Sequence, residues 1–170
     1  MSSAVDLVVS IDGRCRFGGR DFACTLGSGG IVTDKKEGDG GTPVGAWPLR
    51  RLLYRPDRGA RPRCVLSAQA IAPDDGWCDD PADAAYNRPV KLPFAASHET
   101  MWRNDHLYDL VVVVGHNDDP PVPGAGSAIF LHIARPDGGP TAGCVAFARE
   151  DLEAILAGLT EQSRLVVLAP

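Results

Sequence analysis

The sequence predicts a mostly β protein, either a small β-sandwich or a curled mixed sheet, with one C-terminal helix and short helical loops. Its 170 residues include 19 glycines and 14 prolines, a composition that favours short strands joined by turns. The segments 107–114 and 127–133 are mostly apolar runs, as in strands that are buried on both faces. Only one segment, close to the C-terminus, has a helical repeat of apolar residues.

The N-terminal third predicts a strand followed by a hairpin. Residues 5–11 have strand composition, and Asp12-Gly13 follows as a turn. Two more short segments flank a two-residue turn predicted at Gly19-Arg20, with glycine at the first central position. That register places Cys15 opposite Cys24, where side chains lie close together. The chain has five cysteines, so at least one thiol stays free in a monomer, and whether this pair forms a disulfide stays open.

The middle of the chain contains one further predicted strand among predicted loops. Residues 47–54 have strand composition, whereas 35–43 are polar and glycine-rich and predict an exposed loop. Residues 55–63 combine four arginines with two prolines and predict another loop. Residues 72–92 show no clear periodicity, but their aromatic side chains favour a packed loop. A short helix is predicted over 97–104.

The C-terminal third has the clearest periodicity. Leucine and isoleucine recur within 152–159 at the i, i+3, i+4 and i+7 spacing of one helix face. Residues 164–168 then have strand composition. Because no linker or internal repeat interrupts the chain, we expect residues 1–170 to form one domain.

Composition and spacing exclude several classes of function. The net charge is −5, with 17 lysines and arginines against 22 acidic residues, and no basic cluster predicts nucleic-acid binding. No apolar run reaches 18 residues, so we expect no membrane-spanning segment. Neither the acidic segment 74–83 nor the cysteine spacing predicts a metal site, and we expect no cofactor. The sequence carries no signal for an oligomeric state.

The segment that predicts chemistry runs from a strand-borne histidine to a cysteine. His132 lies near the end of a predicted strand, and Cys144 follows Gly143 twelve residues later, after a link with glycine and proline. A thiol beside an imidazole suits nucleophilic catalysis, because the imidazole accepts the thiol proton. At Gly143 the backbone is free to approach a substrate, and N–H groups near it would face a tetrahedral oxyanion. The alternative is a buried structural cysteine beside a hydrogen-bonded histidine.

Two motifs resemble those of the L,D-transpeptidase catalytic-domain family. His132 followed by Thr141-Ala142-Gly143-Cys144 is similar to the family's active-site signature, and Gly38–Leu49 resembles its Thr-Pro-x-Gly-x-aromatic segment. The two motifs bracket residues 36–147, so the resemblance covers most of the chain. Ala142 occupies the position of the family's second histidine, and the histidine-to-cysteine interval is shorter than usual. These two departures indicate a divergent branch of the family.

The resemblance implies a cysteine acyltransferase that acts on the stem peptides of peptidoglycan. Cys144 would attack the carbonyl that follows an L-centre, and His132 would take the thiol proton and return it to the departing D-amino acid. The backbone carbonyl of Ile133 would hold the imidazole tautomer, and the backbone at Gly143 would face the oxyanion. An amine, or water, would then resolve the thioester.

Four further residues are predicted to contact the substrate: Thr141, His116, Arg103 and Arg135. His116 follows a buried strand and is expected to supply the imidazole that the alanine at position 142 does not provide, although a hydrogen bond to a neighbouring aspartate is an alternative. The arginines are candidates for holding a substrate carboxylate, because a guanidinium suits bidentate recognition. The alternative, which their residue type favours, is solvated surface charge.

Several alternatives stay open. The same thioester passed to water would give a carboxypeptidase or endopeptidase. A chain that kept the fold but lost turnover would be a non-catalytic binding module, which Ala142 favours. A sortase-like enzyme would need a later arginine near a strand, such as Arg149 or Arg164. The family implies the cell envelope or periplasm, but residues 1–12 lack the pattern of a secretion signal, which leaves the cytoplasm, a trimmed sequence or another export route.

Overall fold

The computed structural model describes residues 5–170, and their regular structure is mostly β. The strands in chain order are β1 (Leu7–Ser10), β2 (Arg14–Phe17), β3 (Arg20–Ala23), β4 (Ile31–Val32), β5 (Thr42–Pro43), β6 (Gly45–Tyr54), β7 (Ala68–Ala70), β8 (Asp75–Cys78), β9 (Pro89–Lys91), β10 (His98–Thr100), β11 (Leu110–Val114), β12 (Phe130–Ile133), β13 (Val145–Phe147) and β14 (Arg164–Val167). Helix α1 (Arg149–Gly158) lies between β13 and β14.

Nine of the strands form one mixed sheet. Eight of them follow the order β13-β12-β11-β6-β14-β1-β2-β3, and β7 adds to β6. The long strand β6 joins the two halves of this sheet, because its first half pairs with β14 and its second half with β11. Bridges from Thr25 to Ala146 and from Gly27 to Thr141 join the segment after β3 to the region of β13. The sheet therefore curls until it is nearly barrel-shaped, and the prediction of a mostly β, curled mixed sheet is confirmed.

The larger core lies between α1 and the inner face of the sheet. The helix buries Leu152, Ile155 and Leu156 completely, as the apolar repeat predicts. They belong to one apolar cluster with Leu131 on β12 and Phe147 on β13. A second cluster, which contains Phe130 and Cys144, fills the space on the opposite side of these strands.

The register predicted for the β2–β3 hairpin is wrong. The turn is Gly18-Gly19, and both glycines have positive φ, +56° and +76°. A type I′ turn needs positive φ at both central positions, so two glycines suit it better than Gly19-Arg20 does. The shift of the turn pairs Cys15 with Phe22 rather than with Cys24, and both thiols are free.

The predictions for two middle segments also need correction. The segment 72–92 contains β8 and β9, and 97–104 contains β10 rather than a helix. These three strands pair as a small antiparallel sheet in the order β10-β8-β9. Each is only three or four residues long, too short to show a strand period, and pairing with distant segments outweighs the local preference.

The loop predicted to be exposed at 35–43 is partly buried. The side chain of Lys35 is only 7% exposed and pairs with Asp39 at 2.5 Å. The loop then ends in the buried strand β5. Within residues 5–170, no helix has both the length and the apolar character needed to cross a membrane.

Candidate active site

Strand alternation places the predicted histidine and cysteine on the same face of the sheet. Successive side chains of β12 point to opposite faces, so Phe130 and His132 face away from the helix, whereas Leu131 faces it. In the parallel pair β12–β13, Leu131 is level with Val145. Cys144 immediately precedes Val145, and its Sγ accepts a hydrogen bond from the Phe130 N–H at 3.3 Å. Imidazole and thiol both line one cleft of about 480 Å³.

His132 is held as a neutral imidazole. Its ring is 5% exposed, and Nδ1–H donates to the carbonyl oxygen of Ile133 at 2.8 Å. With the proton on Nδ1, the other ring nitrogen, Nε2, is the basic one. Burial lowers the pKa of the imidazole, although the Ile133 carbonyl opposes the shift. The Tyr108 ring packs edge-on against it, with centroids 5.4 Å apart, and this contact restricts its rotation.

Cys144 is a buried, protonated thiol in the resting structure. It is 6% exposed, and its Sγ–H donates to the carbonyl oxygen of Ala128 at 3.3 Å. Burial raises the pKa of the thiol to about 12, with a further increase from the charge of Glu99, while the Phe130 N–H and Lys35 act in the opposite direction. A thiol in this state becomes a nucleophile only when a base takes its proton.

The segment before the cysteine is a tight, internally bonded loop. Gly143 has φ +135°, and a Cβ there would lie 2.8 Å from the carbonyl oxygen of Gly41. Its N–H donates to Thr141 Oγ1 at 3.0 Å, and the Thr141 hydroxyl donates to the Cys144 carbonyl at 2.7 Å. The glycine therefore serves close backbone packing against Gly41, and its N–H is engaged by Thr141 in this arrangement.

The other predicted substrate contacts divide into two groups. Thr141, Arg103 and Arg135 line the cleft. Each arginine is held by an aspartate two residues further on, Asp105 and Asp137 respectively. The guanidinium groups are thus present at the cleft, but they have carboxylate partners of their own within the chain.

His116 lies outside this cleft lining. It is 7% exposed, packs edge-on against Trp47 with ring centroids 4.8 Å apart, and its Nδ1 has no hydrogen-bond partner among the described residues. Burial lowers the pKa of its imidazole to about 4, and the charge of Lys35 adds to the shift. The alternative of a hydrogen bond to Asp118 is not formed either, because that carboxylate pairs with Arg50 at 2.8 Å.

The structure adds cleft residues that the sequence analysis missed. Glu37 lines the cleft, and its Oε2 accepts hydrogen bonds from Tyr86 at 2.5 Å and Ser127 at 2.7 Å. Glu99 accepts from Tyr108 at 2.7 Å. Glu37 and Ser127 are 90 positions apart in the chain, so no local pattern signals that they meet.

Asn87 supports the cleft from behind. Its Oδ1 accepts from the Trp77 indole and from the Ala128 N–H, both at 3.0 Å, and its amide donates to the carbonyl of Asn117 at 2.7 Å. Ala128 carries the carbonyl that receives the Cys144 thiol, and it adopts a positive φ of +52°. The buried asparagine thus holds an unfavourable backbone conformation directly beside Cys144. Within residues 5–170, no group of three or more metal-ligating side chains comes together.

Comparison with known proteins gives one finding. The model of the YkuD family, described as the L,D-transpeptidase catalytic domain, matches residues 7–167. The chain belongs to the YkuD family. The family acts on peptidoglycan peptides, so the match supports the resemblance carried by the His132 and Cys144 motifs. No curated protein and no solved structure matches the chain.

Proposed function

We propose that this YkuD-family domain is a cysteine acyltransferase that forms a thioester with a peptidoglycan stem peptide and passes the acyl group to an amine. The observation that carries the proposal is the shared cleft of His132 and Cys144. Both side chains lie on the same face of β12–β13, and the Ile133 carbonyl holds the imidazole with Nε2 as its basic nitrogen. A buried thiol and a neutral imidazole base are the two groups that acyl transfer by cysteine requires.

The first half of the reaction transfers the thiol proton and forms the thioester. His132 Nε2 accepts the proton from Cys144 as Sγ attacks the peptide carbonyl carbon, which gives a tetrahedral oxyanion. The carbon–nitrogen bond then breaks, and the imidazolium returns the proton to the departing D-amino acid. The Ile133 carbonyl stabilises the imidazolium through Nδ1–H, the role that a carboxylate fills in other triads.

The second half regenerates the thiol. The acceptor amine attacks the thioester carbon, His132 takes a proton from the amine, and the carbon–sulfur bond breaks as the proton returns to Cys144. Thr141, Arg103 and Arg135 line the cleft in positions to contact the peptide. His116 does not contact the peptide in this proposal, since it packs behind the wall of the cleft beside Lys35 rather than within the cleft.

Two other outcomes are candidates. Hydrolysis of the same thioester is the second candidate, and it would make the protein a thiol carboxypeptidase or endopeptidase. The deep burial of Cys144, with its high thiol pKa, favours a third candidate, a binding module for cell-wall fragments without turnover.

Intact-mass spectrometry after incubation with a disaccharide-tetrapeptide separates the three candidates. Acyl transfer predicts an adduct on Cys144 that corresponds to the donor less one D-alanine, and a cross-linked product when an amine is added. A hydrolase gives the shortened peptide alone. His132→Ala should abolish the adduct, whereas Cys15→Ala, which removes a distant buried thiol, should retain it. Binding without adduct or product across several stem peptides would overturn the enzymatic proposal.

A further inference from the structure

A second, smaller pocket lies between the large sheet and the sheet β10-β8-β9, where the Trp77 ring packs edge-on against Phe130 with centroids 5.1 Å apart. Its volume is about 140 Å³, and it shares no lining residue with the candidate active-site cleft. Three arginines belong to its lining: Arg50, Arg51 and Arg88. A guanidinium is charged at every physiological pH, so positive charge collects in a pocket whose other walls are largely apolar.

The pocket holds more positive than negative charge. Asp118 is the one carboxylate among its lining residues, and it forms a bidentate ion pair with Arg50 at 2.8 and 3.0 Å. Arg51 and Arg88 form no ion pair with any residue of the described 5–170. Three cations therefore line the pocket beside one anion, although the chain as a whole has a net charge of −5.

Arg51 has a buried hydrogen-bond donor that no residue within 5–170 satisfies. It lies two positions before Leu53 on β6, so both side chains lie on the face of the sheet that carries the second apolar cluster. The guanidinium carbon is 5.8 Å from the centre of the Trp77 ring, and the buried Nε has no hydrogen-bond partner. A buried donor without a partner is unfavourable, so an acceptor bound in the pocket would stabilise this arrangement.

The uncharged polar side chains of the lining already have partners within the chain. The Trp77 indole N–H donates to Asn87 Oδ1 at 3.0 Å, and this oxygen also accepts the Ala128 N–H. The Asn87 amide donates to the carbonyl oxygens of His116 and Asn117 at 3.1 and 2.7 Å. The side-chain donors that stay available to a ligand are therefore those of the arginines, and charged donors of this kind select an anion.

We propose that this pocket is a binding site for an oxyanion, the carboxylate or phosphate group of a small molecule or of a chain end. Arg51 donates to the anion from the wall, while Arg50 and Arg88 supply further positive charge. A guanidinium offers two parallel N–H groups that match two oxygens of either group. The volume of about 140 Å³ admits the anion and a few attached atoms, which pack against the Trp77 indole. The inference goes beyond the proposed function and does not depend on catalysis by Cys144.

Nuclear magnetic resonance of the tryptophan indole N–H groups tests the site on the unaltered chain. The protein has three tryptophans, so the Trp77 signal is assigned by elimination with Trp47→Phe and Trp102→Phe. The two ligands are inorganic phosphate and N-acetylglycine, and N-acetylglycinamide is the neutral counterpart of the second. Ionic strength is held constant, because salt screens contacts between charges. We expect a saturable shift of the Trp77 signal with at least one anion and no saturable shift with the amide.

Three variants locate the bound anion. Arg51→Gln removes the charge and the buried Nε–H group, so the affinity for the anion should fall at least about tenfold. Asp118→Asn removes the carboxylate that competes for Arg50, so the affinity should rise several-fold. Arg20→Gln is the matched control, because Arg20 also lies over an aromatic ring, 4.8 Å from the centre of Phe22, but outside the pocket. Its removal should leave the affinity unchanged.

The outcomes decide both the existence of the site and the class of its ligand. Saturation by phosphate alone assigns a phosphate group, and saturation by N-acetylglycine alone assigns a carboxylate. The absence of a saturable shift with either anion overturns the proposal. An equal loss of affinity in Arg51→Gln and Arg20→Gln also overturns it, since general surface charge would then bind the anion. Where Arg51→Gln fails to fold, Asp118→Asn keeps the test decisive, because unchanged or weaker binding in that variant overturns the role of the arginines.

Discussion

The two faces of the β12–β13 pair carry different kinds of residue. Toward α1 they present Leu131, Ile133, Val145 and Phe147, all in the main core. Toward the cleft they present His132, and Cys144 lies just before β13. Since neighbouring residues of a strand point to opposite sides, a few residues serve both stability and chemistry. Substitutions one position apart in these strands should therefore change different quantities, activity on the cleft face and the free energy of unfolding on the face toward α1.

The largest effect is expected at Cys144, the proposed nucleophile. Cys144→Ala removes the sulfur that would form the thioester, so acyl transfer should fall by at least about 1,000-fold. The free energy of unfolding should fall by only about 1–3 kcal/mol, because loss of the sulfur removes one partner from the Phe130 N–H and one from the Ala128 carbonyl. Adduct formation and urea unfolding measure the two quantities. Retention of most of the activity would show that the cleft face does not carry the chemistry proposed for it.

On the opposite face, Phe147→Ala should reverse the pattern. Phe147 is completely buried, and removal of a buried aromatic ring typically costs about 3–5 kcal/mol. Urea unfolding measures the loss, and the fraction that remains folded should still alkylate Cys144. Phe94→Ala is the matched control, since Phe94 is only partly buried and lies outside both core clusters. Equal losses in the two variants would contradict the assignment of the core.

His116 should make stability depend on pH, because burial and the nearby charge of Lys35 both lower the pKa of its imidazole. The pKa of its imidazole is about 4 in the folded protein against an ordinary value of 6.5, so the unfolded state binds more protons between these two values. The free energy of unfolding should therefore fall as the pH decreases through this window, by up to about 3.4 kcal/mol for a difference of about 2.5 pKa units. His116→Phe keeps an aromatic ring against Trp47 and should remove this part of the slope. Parallel curves for the variant and the unaltered protein would exclude the effect.

The smallest expected effect is the difference between two glycine variants in the loop that precedes Cys144. Gly143→Ala combines a strained φ with a Cβ placed 2.8 Å from the Gly41 carbonyl oxygen. Gly138→Ala is matched in having a positive φ, +70°, but has open space around the new Cβ. Both should be destabilised by about 1–2 kcal/mol from the backbone, with a further loss of about 1 kcal/mol at Gly143 from the close contact. Thermal unfolding compares the two variants. Equal midpoint temperatures would show that the close contact between the new Cβ and Gly41 does not lower stability.

Local sequence patterns predict the elements whose own residues supply the pattern. The helix near the C-terminus follows from the apolar repeat within 152–159, and the buried strands β11 and β12 follow from continuous apolar runs. Local patterns fail to predict a strand or its register where the turn or the pairing partner determines it. At the β2–β3 hairpin, two adjacent glycines shift the turn by one residue and pair Cys15 with Phe22 instead of Cys24. In β8 to β10, strands too short for a visible period exist because they pair with each other.

The residues of the candidate site also divide into those that a local motif indicates and those that only the fold brings together. The motif of His132 and Cys144 is visible in the sequence because it lies within one short stretch of chain, and the match to 7–167 confirms the family that the motif resembles. The roles of the two residues stay a prediction. Glu37, Asn87 and Glu99 are not predictable, because each makes its contacts at the cleft with residues that only the fold brings near. His116 shows the opposite case, a residue with suitable chemistry that folding buries behind the cleft.

The sequence by itself determined the mostly β architecture, the single helix of the described chain and the candidate pair His132 and Cys144, since periodicity and motif spacing are properties of neighbouring residues. Only the tertiary structure decided the register of the hairpin, the protonated state of the buried thiol and the set of charged side chains that line its cleft. Those properties depend on burial and on distances between segments that are far apart in the chain, and a local pattern contains no record of either.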